Sequence, residues 1–258
     1  MKTLVIQTDN RPTLDFLQKT RQINQIICGK YGFDYRFIEM QEEDYRNMHP
    51  TMGKIKVIHS QLELKEYDYL IFLDSDAWIH NPKNLIKLIE FMSSDTQKIG
   101  AFSREPKARF NTLINSGTFI LKNTDKTIKM YQEIMREVSK CSTYHNKFPH
   151  DQFYICKYIQ SNLDQFLILK PNILNTPFGK ILRHNWFKGS HMQRDLNRIL
   201  ANRAEREYEL SIEDSIDRSR YPNILPIALD YFSYYFTDLK FWDTFLKDRN
   251  KAPQPKKD

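Results

Sequence analysis

The sequence predicts an α/β layered domain: a mainly parallel sheet flanked by helices, followed by a helical C-terminal appendage. Three observations predict it. Short apolar runs of strand character alternate with longer runs of helical apolar spacing as far as residue 161. One apolar run ends abruptly in two acids one residue apart, as strands do where they meet a ligand-bearing loop. After about residue 195 the texture turns highly charged and then aromatic, at helical spacing throughout.

Residues 3–7, TLVIQ, read as a first strand that ends in polar Thr8, Asp9 and Asn10. Leu14, Leu17, Ile23, Ile26 and Ile27 recur at helical spacing up to Gly29. Residues 33–39, FDYRFIE, alternate as a strand does, and Ile55, Ile58, Leu62 and Leu64 suit a helix over 54–65. Residues 69–73 form the next strand. Asn81 then caps a helix with Pro82 at its first position, because proline gives up only a donor that the first turn cannot use. KIGAF and GTFILK are two further short strands, and helices follow at 125–139 and 151–161.

Beyond 195, RDLNRILANRAEREYELSIEDSIDRSR is charged and helical. Phe232, Tyr235, Phe236, Leu239, Trp242, Phe245 and Leu246 then make one apolar stripe. That stripe packs on the first domain or on a second subunit, giving a homodimer through the C-terminal helices. A membrane-surface or ligand-binding face is the alternative. The expected organisation is a domain over 1–195, a helical extension over 196–250 and a disordered tail over 251–258, which is rich in Pro and Lys.

A chain of 258 residues is long enough to bury a full core without staples. With 40% hydrophobic and 28% charged residues it falls among globular proteins. The net charge of +7 points weakly to anionic partners, since Lys251, Lys256 and Lys257 of the tail supply part of it. Cys28, Cys141 and Cys156 are widely spaced and odd in number, which excludes zinc ribbons and thioredoxin chemistry and fits a reducing compartment. No apolar run approaches the ~18 residues of a membrane span. The N-terminus turns polar after three apolar residues, so the expectation is a cytoplasmic protein, or a trimmed chain, with neither signal peptide nor anchor.

The chemistry centres on YDYLIFLDSDAWIHNP, residues 67–82. Asp74 and Asp76 repel each other unless a cation sits near them. A hard divalent ion wants such oxygen ligands and bridges to a diphosphate, stabilising its charge as it leaves. The competing reading of the triplet is a turn in which Asp caps the next amides.

At this point the residues resemble a known group. YDYLIFLDSDAWIHNP looks like the Asp-x-Asp segment of GT-A-fold glycosyltransferases. NSGTFILK (115–122), HDQFYI (150–155) and RHNWFKGSHMQR (183–194) follow in the order and at about the spacing of those enzymes. The stretch from Gly53 to Asp76 resembles the α-galactosyl, xylosyl and mannosyl transferases and the small glycosyltransferases of giant viruses. The resemblance covers about residues 1–195 and implies a Rossmann-like, mixed but mainly parallel sheet.

The resemblance also implies roles. Asp74, with Ser75, meets the ribose and the metal, Asp76 binds the metal directly, and His184 is the third ligand. Relatives carry His-x-x-Gly there, whereas here Gly189 stands two residues further on, which leaves His191 as a rival ligand. A histidine ligand favours Mn²⁺ over Mg²⁺. Asn115, Ser116 and Gly117 match the turn that meets the donor sugar, with Gly117 allowing close backbone approach. Asp151 and Gln152 match an acid–amide pair beside the reacting carbon, although Asp151 also suits a helix N-terminus. Lys54 and Lys188, the latter next to Gly189, neutralise diphosphate oxygens or are simply solvated. Gln7, Thr8 and Asp9 offer donors and acceptors to the base and ribose.

The implied protein is a metal-dependent glycosyltransferase. It moves a sugar from a nucleotide donor, UDP being the expected carrier, to a hydroxyl of a glycan or glycoprotein, with retention by analogy. Three alternatives stand beside it. A haloacid-dehalogenase-type phosphatase also places Asp-x-Asp after a strand, but there the strand is usually the first and Thr or Val stands where Trp78 stands here. A basic RNA- or lipid-binding module gains from the charge, yet no RNA motif is present, so nucleic acid is not an expected partner. A catalytically dead relative would bind donor without turnover.

Overall fold

The computed structural model describes residues 1–105, 114–185 and 210–218. Its elements are β1 (Thr3–Asp9), α1 (Asp15–Tyr31), β2 (Asp34–Glu39), α2 (Glu42–Tyr45), a 3-10 turn (Pro50–Met52), α3 (Gly53–Glu63), β3 (Tyr69–Leu73), β4 (Ala77–Ile79), α4 (Pro82–Ser94), β5 (Gly100–Arg104) and β6 (Ile114–Lys122). They continue as α5 (Asp125–Lys140), α6 (Asp151–Ser161), β7 (Phe166–Leu169), α7 (Pro171–Leu174) and β8 (Leu182–His184), and a single turn spans Ile212–Ser215. Each strand and helix expected from the sequence in this range is present. Helix ends follow local chemistry. Gly32 closes α1 at φ 73°, a conformation that disfavours a Cβ, and its N–H donates to Cys28 O. Asn81 Oδ1 accepts from Asn84 N at 3.0 Å ahead of Pro82.

The main sheet runs β2-β1-β3-β6-β5-β7. The pairs β1–β2, β1–β3 and β5–β7 are parallel, while β6 runs antiparallel to both neighbours. This reversal matters for the site. Because β6 runs backwards, its first residues lie beside the last residues of β3. Leu73 pairs with Thr118, and Asp74 N donates to Gly117 O at 2.7 Å. A second sheet of two short strands pairs Ala77 with His184. It carries a residue remote in sequence to within one position of Asp76.

Strand alternation sends Val5, Ile71, Leu73 and Ile120 to one face, against Leu85, Leu88 and Ile89 of α4. Phe119 stacks between Phe72 and Phe102, with ring centroids 5.0 and 4.9 Å away. Residues 210–218 lie along the outer edge of β7. Leu169 bridges to Ile216, Asp217 N donates to Ile168 O at 2.8 Å, and Ile212 enters the core. Arg104 and Asp217 form an ion pair whose side chains are 11% and 7% exposed. An open sheet edge is thereby covered. The aromatic stripe over 232–246 and the tail over 251–258 lie outside the described residues. Among the described residues no helix is long and apolar enough to cross a membrane.

Candidate metal and donor site at the strand ends

The acidic turn after β3 is held from below by a buried polar cluster. Gln7 Nε2 donates to the main-chain oxygens of Asp74 (3.1 Å) and Ala77 (3.2 Å). Thr20 Oγ donates to Ser75 O at 2.7 Å. Asn24 Nδ2 donates to Ala77 O, and its Oδ1 accepts from Ile79 N at 2.9 Å. Gln7 Oε1 in turn accepts from Asn24 and from the Tyr35 hydroxyl. Gln7, Thr20 and Asn24 are each fully buried. A turn of four residues cannot hold two carboxylates in place by itself, and these side chains satisfy the carbonyls it leaves over.

Asp74, Asp76 and His184 each aim one ligand atom into a space where those atoms lie within 4.8 Å of one another. His184 Nε2 is 3.1 Å from Asp76 Oδ1 and 3.6 Å from Asp74 Oδ2. Its other nitrogen, Nδ1, is 2.9 Å from Asn175 Oδ1 on a fully buried side chain. With Nδ1–H donating to Asn175, the Nε2 lone pair faces the two carboxylates, the arrangement a ligating imidazole needs. Without a cation the imidazole holds a proton more tightly than usual: burial works against the charge, but Asp76 and then Asp74 outweigh it. Asp74 keeps 30% of its side chain open, yet burial raises its carboxyl pKa against the opposing pull of Lys54 and His184. The donor set is two carboxylates and one imidazole, which fits Mn²⁺ or Mg²⁺.

Beside this triad lies a second cluster. Lys54, in the first turn of α3, is 4% exposed and places Nζ 3.0 Å from Asp74 Oδ1 and 3.1 Å from Asp151 Oδ2. Burial opposes its charge, but Asp151 and Asp74 raise its pKa above the ordinary lysine value. Asp151 opens α6 and is 3% exposed; its Oδ2 also accepts from Ser116 Oγ at 2.7 Å. Asn115 Oδ1 accepts from Gly117 N at 2.7 Å, and Asn115 Nδ2 donates to Glu105 at 2.8 Å. Gly117 must lack a side chain: a Cβ there would stand 2.5 Å from His184 Nδ1 and 2.8 Å from Asp74 Oδ2.

The structure thus brings together Lys54, Asp74, Asp76, Ser116, Gly117, Asp151 and His184, with Asn115 adjacent. Ser75 faces Thr20 through its carbonyl. Thr8 and Asp9 are buried at the end of β1, where Asp9 takes Arg11 in a paired grip of 3.0 and 3.2 Å. Gln152 follows Asp151 on α6 and is 8% exposed. Gln7 proves to be part of the scaffold, both ends of its amide being engaged inside the protein. Lys188, Gly189 and His191 lie outside the described residues. Sequence reasoning missed Thr20, Asn24, Asn175 and Glu105. The first two left a faint signal, polar residues four apart on the buried stripe of α1. Asn175 left none, because its role depends on the β4–β8 pairing.

A family model described as nucleotide-diphospho-sugar transferase matches residues 2–197. The chain is similar to the crystal structure of a glycosyltransferase involved in the glycosylation of the major capsid of PBCV-1. The identity is 17%, the match covers 76% of this chain and 98% of that one, and the TM-score is 0.60. It is also similar to apo GlyE of Streptococcus pneumoniae TIGR4 (12% identity, 79% of this chain and 64% of that one, TM-score 0.49). An active-site mutant of LgtC is a further similar structure (10% identity, 76% and 95% covered, TM-score 0.47). No curated protein matches the chain. The fold is the GT-A fold that the sequence resemblance implied.

Proposed function

Because the chain belongs to the nucleotide-diphospho-sugar transferase family, we propose that it is a metal-dependent glycosyltransferase that takes a nucleoside-diphosphate sugar, UDP-linked in our reading, and delivers the sugar to a hydroxyl of a glycan. One observation carries the reading: Asp74, Asp76 and His184 converge at the carboxyl ends of β1 and β3, and Asp151 stands behind them across Lys54. The crevice beyond such strand ends is where open α/β sheets bind ligands.

Asp74, Asp76 and His184 would hold the metal, and a bound Mn²⁺ or Mg²⁺ supplies positive charge to the departing diphosphate. The protein's own groups do the rest. Asp9, Thr8 and Arg11 at the end of β1 present polar atoms to the nucleoside. Gly117 gives room for His184 and Asp74 to converge on the metal. In the reaction the bond between the sugar C1 and the diphosphate oxygen breaks, and its electron pair leaves with the oxygen. Positive charge grows on C1, and the carboxylate of Asp151, held by Ser116 and Lys54, stabilises it. The acceptor oxygen bonds to C1 and its proton passes to the diphosphate. Attack on the leaving-group face retains the anomeric configuration.

Thermal shifts against UDP, GDP, CDP, ADP and dTDP, each with and without Mn²⁺, test this reading. A nucleotide at a hundred times its Kd stabilises by about 2.7 kcal/mol, which is readily seen. One nucleotide giving a large shift only with metal is the expected result. The absence of a shift for all five overturns it.

A further inference from the structure

Two imidazoles outside the metal site stack beside Asp151. The rings of His49 and His150 lie 4.0 Å apart at 13°, a parallel pair. His150 directly precedes Asp151, and it holds φ 53° and ψ −127°, a costly conformation for a residue with a Cβ. That turn lets consecutive residues serve two directions: Asp151 enters the cleft toward Lys54, and His150 backs His49. Asp151 directly follows His150 and reaches Lys54 at 3.1 Å, so the stacked pair lies next to the Asp151 side of the site.

The stack is not needed to join its two loops. His49 N already donates to His145 O at 2.9 Å, and Asn146 Nδ2 donates to Asn47 O at 2.9 Å. Nor does His150 cap α6, since its side chain makes no cap bond, and its Nδ1 is buried without a hydrogen-bond partner among the described residues. His49 is exposed. Its Nδ1 accepts from Thr51 N at 3.4 Å and faces Thr51 Oγ at 3.0 Å, which leaves the proton on Nε2. Burial lowers both imidazole pKa values, so the pair is neutral near pH 7. Phe148, two residues earlier on the same loop, is 51% exposed.

We propose that His49, backed by His150, is the plate on which the acceptor sugar rests, with its C–H face on the ring and a hydroxyl taking the Nε2–H. A flat neutral ring with one outward donor suits a pyranoside, which has an apolar face and a polar edge. The proposal rests on the transferase reading and assigns the acceptor as a neutral glycoside.

The test uses the full chain with UDP and Mn²⁺, titrated with methyl glycosides of glucose, galactose, mannose and xylose while the imidazole NMR signals are followed. One glycoside is expected to move the His49 and His150 signals saturably. With that glycoside as acceptor, His49→Ala should raise its KM about tenfold and His49→Phe should restore it to within about threefold. In both variants kcat should stay within about threefold of wild type, so that the effect falls on KM. If UDP and Mn²⁺ bind but no glycoside moves either ring, the proposal fails and the transferase reading stands. A His49→Ala variant that loses nucleotide binding also overturns it, by placing the ring on the donor. If neither nucleotide nor glycoside binds the wild type, the transferase reading fails and takes the proposal with it.

Discussion

The side-chain amide of Gln7 holds the main-chain carbonyl of Asp74 at 3.1 Å from beneath the acidic turn. Gln7 also reaches Ala77 O, Asn24 and Tyr35, so one side chain fixes both ends of the turn. Gln7→Leu keeps the size but removes the bonds to Asp74 O, Ala77 O, Asn24 and Tyr35, each worth about 1 kcal/mol, while Asp74 O keeps Ala77 N and Ala77 O keeps Asn24 Nδ2. We expect a stability loss of about 2–4 kcal/mol by urea unfolding. Because the carboxylates lose their support, Mn²⁺ affinity should fall by about tenfold in direct titration. Unchanged metal affinity would show that the turn holds its shape without Gln7.

Asp76 and His184 meet at 3.1 Å, and their roles separate by titration. Asp76→Ala should abolish the Mn²⁺-dependent part of nucleotide binding while the far-UV spectrum stays that of the folded domain. His184 must release its proton to bind a cation, and its pKa is raised by Asp76 and Asp74 against burial. Mn²⁺ binding therefore weakens as the pH falls through that raised pKa. Asn175→Leu, which removes the partner of Nδ1, should cost about 10–100-fold in Mn²⁺ affinity. Isothermal titration in two buffers of different ionisation heat reads both affinity and proton release.

Gly117→Ala is the smallest change that should disable the site. The new methyl meets His184 Nδ1 at 2.5 Å and Asp74 Oδ2 at 2.8 Å, two ligands at once. Overpacking of this kind costs about 1–3 kcal/mol. The damage to metal binding should be larger than the loss of stability, since both contacts displace ligand-bearing groups. A Tm lowered with full Mn²⁺ affinity would mean that the backbone yields instead.

The strands and helices that carry the acids were legible because each has a strong local period and clear punctuation, as at Asn81–Pro82. The mixed direction of the sheet was legible only through the family resemblance, since periodicity says nothing about whether β6 runs with or against β3. The strands β4, β7 and β8, of three or four residues, were too short to leave a period. Asp74 and Asp76 announced themselves by ending a buried run. His184 was legible only through the family resemblance, and the geometry that makes it a ligand comes from its pairing with Ala77. Lys54 was noted as a basic residue, but its burial on two carboxylates is tertiary information. The family match favours the transferase over the phosphatase and binding-module alternatives.

His80 gives the domain an acid sensitivity separate from the metal site. Burial, aided by Arg183, lowers its pKa from 6.5 to about 4. A histidine with a depressed pKa favours the fold in its neutral form. Its contribution is complete above the unfolded pKa of 6.5 and is lost as the pH falls from there toward 4. The loss is at most on the order of 3 kcal/mol, and His49 and His150 add to it in the same direction. Urea midpoints at pH 7, 6, 5 and 4 should fall steadily, and His80→Gln should flatten the slope.

Lys54 decides between two descriptions of the site. As a phosphate ligand it would be a solvated ammonium waiting for the donor, and its loss would weaken nucleotide binding while leaving the free protein as stable as before. The structure places it 4% exposed on Asp74 and Asp151, the latter 3% exposed. Removing one partner of a buried ion pair leaves an uncompensated charge, at a cost of about 3–5 kcal/mol. Lys54→Met should therefore destabilise the nucleotide-free protein by that amount in urea unfolding. Asp151→Asn in the same background should recover part of the loss, because it removes the charge left stranded, so the double variant is less damaged than the sum of the singles. Full stability of Lys54→Met without nucleotide would refute the counter-ion role and return the residue to the diphosphate.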